Sequence, residues 1–146
     1  MDDICGIKHD YNFAYGSNMF PPRLLNRIGK YHCGLQAIAS GYEFTYNKEG
    51  VDNTAKANLK SSTAGQVYGV CFEIDKEDFS KLDQYEKGYE RCDIELQING
   101  KKETARTYMS SCIGQNNLPS TEYKNLILQG ARYWGLDKKY VADYLK

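Results

Sequence analysis

Two periodicities divide the chain. In its middle, hydrophobic and polar positions alternate. On either side, apolar residues recur at helical spacing. Near the start, Phe13 to Tyr15 reads as a short strand that breaks into the turn Gly16-Ser17-Asn18. Pro21 and Pro22 then suit the first turn of a helix, where their missing N–H groups cost little. Its apolar stripe is Leu24, Leu25 and Ile28, with Gly29 as the stop. From His32 to Tyr46, Leu35, Ala37 and Ala39, and then Tyr42, Phe44 and Tyr46, alternate with more polar residues. This predicts a long strand bent at Gly41. The polar stretch Asn47 to Gly65 reads as a loop holding at most a short strand at Ala57 to Leu59. Gln66 to Ile74 is rich in β-branched and aromatic residues and predicts a strand.

Asp75 is placed to cap a helix over Lys76 to Glu86, with Asp78 near capping-box spacing. Arg91 to Ile98 and Lys102 to Met109 predict a hairpin closed by Asn99-Gly100. Ser111 to Leu118 is a polar loop. A helix follows over Thr121 to Trp134, with Tyr123, Ile127, Gly130, Ala131 and Trp134 on one face. Gly135 ends it, and Asp137 caps a last short helix carrying Val141, Tyr144 and Leu145. Strands in the middle and helices at the end predict an α+β fold, a small, mostly antiparallel mixed β-barrel flanked by helices that cover its open edge.

Composition narrows the function. The 146 residues suit a single domain, 1–146, with a real core. Lys plus Arg and Asp plus Glu number 19 each, which argues against a phosphate-driven nucleic-acid binder. The acidic opening MDDICGIKHD is not a secretory signal, and no stretch has the ~20 apolar residues of a membrane span. The five cysteines, Cys5, Cys33, Cys71, Cys92 and Cys112, are odd in number and form no CxxC. They read as free thiols in a reducing cytoplasm. His9 and His32 stand far apart in sequence, so no Cys/His zinc site is expected. His32 and Cys33, adjacent on a strand, point to opposite faces and do not form a nucleophilic pair.

Two features carry chemistry. The strand-to-turn corner at Tyr15 to Asn18 leaves backbone N–H groups aimed one way. It is either an ordinary corner or a concavity for a carboxylate or other anion. On the helix Phe79 to Glu86, Phe79 and Leu82 define the core stripe, and Glu86 falls inside it, with Asp83 near its other edge. An inward carboxylate is costly unless paired or functional. Glu86 either sits in a frayed last turn, paired with Lys87 or Arg91, or is a partly buried carboxyl of raised pKa suited to general acid/base work.

Together, Phe13-Ala14-Tyr15-Gly16-Ser17-Asn18-Met19 with Arg23, the strand Gln66 to Ile74, Leu82-Asp83-Gln84-Tyr85-Glu86, and Pro119 to Asn125 with Gly130-Ala131 resemble the gamma-glutamylcyclotransferase family over about Asn12 to Leu145. The resemblance implies cyclisation of a gamma-glutamyl amine or amino acid to 5-oxoproline with release of the free amine, without a cofactor or metal. It implies Glu86 as the catalytic acid/base. It further implies a substrate site formed by Ala14, Tyr15, Gly16, Ser17 and Asn18, with the hydroxyls of Tyr108 and Tyr123. Arg23 either serves that site or pairs structurally with a carboxylate. In several family members a glycine directly follows the glutamate, whereas here Lys87 intervenes before Gly88. The implied partner is a small gamma-glutamyl compound, with no nucleic acid or membrane partner, acting in the cytoplasm as a monomer or homodimer. Two alternatives remain. One is a non-catalytic binding module on the same fold; the other is a cyclotransferase acting on a larger gamma-glutamylated partner.

Overall fold

A closed five-strand barrel is the frame of the molecule, with strand order β1-β3-β2-β4-β5. The computed structural model of the chain describes residues 9–114 and 118–146. The strands are β1 (His9–Ala14), β2 (Cys33–Glu49), β3 (Ala55–Asp75), β4 (Glu90–Ile98) and β5 (Lys101–Met109). Neighbours are antiparallel except β1 and β5, which run parallel at Asn12 and Arg106. Helices α1 (Pro21–Ile28), α2 (Asp78–Tyr85), α3 (Thr121–Tyr133) and α4 (Lys138–Tyr140) flank the barrel, and α4 runs on into a π-type turn, Val141–Leu145. Because the sheet closes on itself, the helices do not cover an open edge as expected. Instead α1 packs on α2 and on the turn after β1, and α3 packs on that same turn.

The long hairpin β2–β3 differs most from the sequence reading. It pairs from Cys33 opposite Glu73 to Glu49 opposite Ala55, so the stretch expected as a loop over Asn47 to Gly65 is mostly strand. The cause is small and polar residues: Ala55, Ala57 and Leu59 are buried, but the alanines add little hydrophobic amplitude and the polar Asn58 between them is buried too. A 17-residue strand is ~55 Å long at ~3.3 Å per residue, too long for a small barrel without a bend. The bend falls at Gly41, whose φ of +91° a side chain would disfavour, and the register shifts between Ser40 and Tyr42 as expected.

Elsewhere most elements match, with local corrections. Asp75 does not cap α2, which begins after Glu77. Asp75 is held instead by Lys30 Nζ at 2.6 Å and His32 Nε2 at 2.7 Å. Leu25 and Tyr144 are exposed rather than part of their apolar stripes. Asn99 and Gly100 both have positive φ, as the tight hairpin requires. Ser120 and Asp137 cap α3 and α4 through their side chains. His9 and His32 meet, with rings stacked 3.8 Å apart, and His9 Nδ1 bonds the fully buried Glu73 carboxylate. A second correction concerns the cysteines. Cys33 is disulfide-bonded, so the expectation of free thiols fails there, while Cys71, Cys92 and Cys112 are free. Cys5 lies outside the described residues. Among the described residues no helix is long and apolar enough to cross a membrane.

The core is continuous from barrel to helices: Phe13, Phe72, Ile74, Leu82, Leu96 and Ile127 are all essentially inaccessible. Each such side chain contributes ~1.5–3 kcal/mol of burial. One packing contact positions the site. Gly130 of α3 lies against the turn that follows β1, so closely that a Cβ there would come within 2.7 Å of the Phe20 nitrogen. Trp134 Nε1 donates to the Met19 carbonyl at 2.7 Å and ties the end of α3 to the same turn.

Candidate active site

The site forms where β1 ends. Ala14 is the last residue held in register, opposite Val70, and the chain then leaves the sheet through Gly16. Ser17–Met19 is a single 3₁₀ turn in which Met19 and Phe20 donate back to the Gly16 and Ser17 carbonyls, at 3.1 and 3.2 Å. The leading N–H groups of such a turn, on Gly16, Ser17 and Asn18, have no carbonyl within it to bond. Glycine fits at position 16 because a Cβ there would lie 3.2 Å from the Ala57 Cβ and 3.7 Å from the Tyr123 hydroxyl.

Facing this turn is Glu86, the residue that terminates α2. Its side chain is 13% exposed. Oε1 accepts a hydrogen bond from Asn18 Nδ2 at 2.8 Å, and Arg27 Nη1 lies 3.6 Å away. Burial pushes the Glu86 carboxyl above the usual carboxylate range, and Arg27, the Asn18 amide, Arg23 and Lys48 oppose the rise only in part. Glu86 pairs with neither Lys87 nor Arg91. Arg91 turns to Asp83, at 3.6 Å.

A pocket of about 40 Å³ brings together every residue that the sequence reading marked: Ala14, Tyr15, Gly16, Ser17, Asn18, Glu86, Tyr108 and Tyr123. Their hydroxyls differ. Tyr15 donates to the Tyr108 carbonyl, and Tyr108 donates to Asp83 Oδ1, so both are already engaged. Tyr123 accepts from the Ala57 N–H at 3.0 Å, and its own proton stays on because burial pushes its pKa up to about 12. Burial likewise raises Tyr15, Tyr89 and Tyr108, so at neutral pH the tyrosines are neutral donors.

Arg23 forms no carboxylate pair among the described residues; its Nε donates to Ser17 Oγ at 2.8 Å. Arg27, one turn further along α1, donates to Asn18 Oδ1 at 2.9 Å. The two arginines thus fix the two polar side chains of the turn. Sequence reasoning passed over Arg27, although its i+4 spacing from Arg23 was a signal. It also missed Asn12, Ala57, Tyr89 and Thr107 in the pocket wall. Asn12 is fully buried with no hydrogen-bond partner for Oδ1 among the described residues, an acceptor left open in a wall where unsatisfied groups are rare. A polar residue amid the apolar run Tyr11 to Ala14 was its only trace in the sequence.

A largely buried carboxyl of raised pKa, the leading N–H groups of a 3₁₀ turn and neutral tyrosine hydroxyls thus line one pocket. Residues 66–144 match the model of the AIG2-like family, and the chain belongs to that family. The mouse protein named gamma-glutamylcyclotransferase is 30% identical over 139 residues, covering 88% of this chain and 73% of the relative. The human protein of the same name is 28% identical over 138 residues, with the same coverage. A solved structure titled gamma-glutamyl cyclotransferase superposes with a TM-score of 0.84 over 90% of this chain and 83% of the other, at 24% identity, and shares the fold. The relatives are enzymes, and so is this chain.

Proposed function

We propose that the chain is a gamma-glutamylcyclotransferase that converts a small gamma-glutamyl amide to 5-oxoproline and a free amine. The observation that supports this reading is the 2.8 Å contact between Asn18 of the turn and the largely buried Glu86, which brings a carboxyl and the backbone N–H groups of the turn to one pocket. In the reaction, the α-amino nitrogen of the glutamyl unit attacks its own γ-carbonyl carbon and closes a five-membered ring; the bond to the amine nitrogen then breaks. The nucleophile must first lose a proton from its ammonium form. Glu86 takes that proton and returns it to the departing nitrogen, so one carboxyl serves as base and then acid; the second proton, shed by the ring nitrogen as the amide forms, goes to the released amine as it becomes an ammonium ion. A raised pKa suits it to both steps.

The N–H groups of Gly16, Ser17 and Asn18 hold either the substrate's α-carboxylate or the oxyanion that develops on the γ-carbonyl. A donor serving the oxyanion is worth ~10²–10³ in rate. Asn12 Oδ1 accepts from the substrate's ammonium, and Tyr123, pinned by Ala57, offers its proton to a substrate oxygen. Because the attack is intramolecular, much of the acceleration comes from holding the chain in the attacking conformer. The test is incubation with a panel of gamma-glutamyl amides followed by an assay for 5-oxoproline. Release from at least one member supports the reading, and release from none overturns it.

A further inference from the structure

A second cavity of about 200 Å³ opens beside the pocket and shares Ser17, Glu86, Tyr89 and Tyr123 with it. On the cyclotransferase reading Glu86 must reach the departing nitrogen, and this cavity is a second open space that Glu86 lines. Five cationic side chains line it (Arg23, Arg27, Lys48, Lys56 and Lys87) against one carboxylate, Glu86. Two of the five are paired: Arg27 with Glu86 at 3.6 Å, and Lys56 with the exposed Asp52 at 3.4 Å. No ion pair is formed by Arg23, Lys48 or Lys87 among the described residues. Lys87 is exposed and screened by water, but the other two are not. Arg23 is half-buried, and burial followed by repulsion from Arg27 lowers its pKa. Lys48 is only 5% exposed; its Nζ donates to the Glu49 carbonyl at 2.7 Å and lies 5.1 Å from the centre of the Tyr89 ring. A buried ammonium without a carboxylate is costly unless something anionic comes to it.

Resting on the cyclotransferase reading, we propose that this cavity selects a leaving amine carrying two anionic groups, an acidic amino acid or an amine of equivalent charge, with Lys48 and Arg23 as its partners. With a neutral amine, both cations would share the single charge of Glu86, which Arg27 already pairs at 3.6 Å, and a single added carboxylate would compensate only one of them. Substrate binding would then complete the electrostatics of the cavity, and the preference would weaken with salt less than a surface attraction does, because Lys48 is shielded from solvent.

The experiment compares kcat/KM for gamma-glutamyl-glutamate, gamma-glutamyl-glutamine and gamma-glutamyl-ethylamide. The first two match in size and differ by one charge. Glutamate should be preferred over glutamine by about tenfold or more, the scale of one charge-assisted contact. Lys48→Met should collapse that ratio toward one, and Lys48→Arg should restore it, an outcome that general damage to the fold would not give. Equal kcat/KM for the three substrates, or a ratio unaltered by Lys48→Met, overturns this inference and leaves the cyclotransferase reading intact. No 5-oxoproline from any of the three while another gamma-glutamyl amide is cleaved overturns this inference alone, and none from the whole panel overturns both.

Discussion

Gly130→Ala tests whether α3 sets the position of the substrate-binding turn. In isolation the change favours the helix by ~1 kcal/mol, because glycine is a poor helix former. In place, the new Cβ would lie 2.7 Å from the Phe20 nitrogen, 2.8 Å from the Met19 Cβ and 2.9 Å from the Met19 carbonyl carbon. The closest of these falls about 0.7 Å short of the 3.4 Å at which ordinary contact begins, and it sets the new Cβ against backbone, which cannot swing aside as a flexible side chain would. Relieving it means moving α3 away from the turn. Overpacking of this kind costs ~1–3 kcal/mol, which leaves a net destabilisation of up to about 2 kcal/mol. For a chain of this length that is a fall in Tm of ~4–8 °C. A shift of the turn by most of an ångström relative to Glu86 should lower kcat/KM by up to ~10²-fold. Thermal melts and 5-oxoproline kinetics would be run beside Asn125→Ala, an exposed position on the same helix. Full activity with a raised Tm for Gly130→Ala would show that the Gly130 contact does not hold the turn.

Four further outcomes follow from the same geometry. The kcat/KM–pH profile should fall on the acid side as Glu86 becomes protonated, with a midpoint above the usual carboxylate range. Arg27→Met should move that midpoint higher, because Arg27 opposes the effect of burial. Glu86→Gln should be as stable as the parent in acid and more stable at neutral pH in urea titrations. The reason is one of sign: a carboxyl whose folded pKa is raised contributes stability that is present below its unfolded pKa and lost as pH rises through the folded one. Tyr123→Phe should cost ~1–3 kcal/mol in the same assay, since it strips the buried Ala57 N–H of its acceptor.

The barrel flanked by helices was legible in the sequence apart from one long hairpin, and the residues marked for a candidate site do line one pocket. Gly16, Ser17 and Asn18 could be read because a turn announces itself through residue type, and Glu86 because a carboxylate inside an apolar stripe breaks a pattern. The long β2–β3 extension hid behind Ala55 and Ala57, whose small side chains are buried but add little hydrophobic amplitude. Asp75 looked like a cap by position, yet its role is set by Lys30 and His32, which only the folded barrel brings to it. The meeting of His9 with His32 and the engagement of Tyr15 and Tyr108 by other groups are likewise products of strand pairing between distant segments. Lys48 gave no signal at all, because a lysine in a polar stretch is expected in water, and here it is buried.

The central claim is that Glu86 moves the proton for a substrate held by the Gly16–Asn18 turn. Its most direct test is kcat for Glu86→Gln on a gamma-glutamyl amide that the parent enzyme cleaves, measured together with the Kd for the product 5-oxoproline. Glutamine preserves the shape of the side chain but cannot exchange the proton. The account predicts a kcat lower by ~10²–10⁴-fold with product binding retained. A kcat within a few-fold of the parent would contradict it.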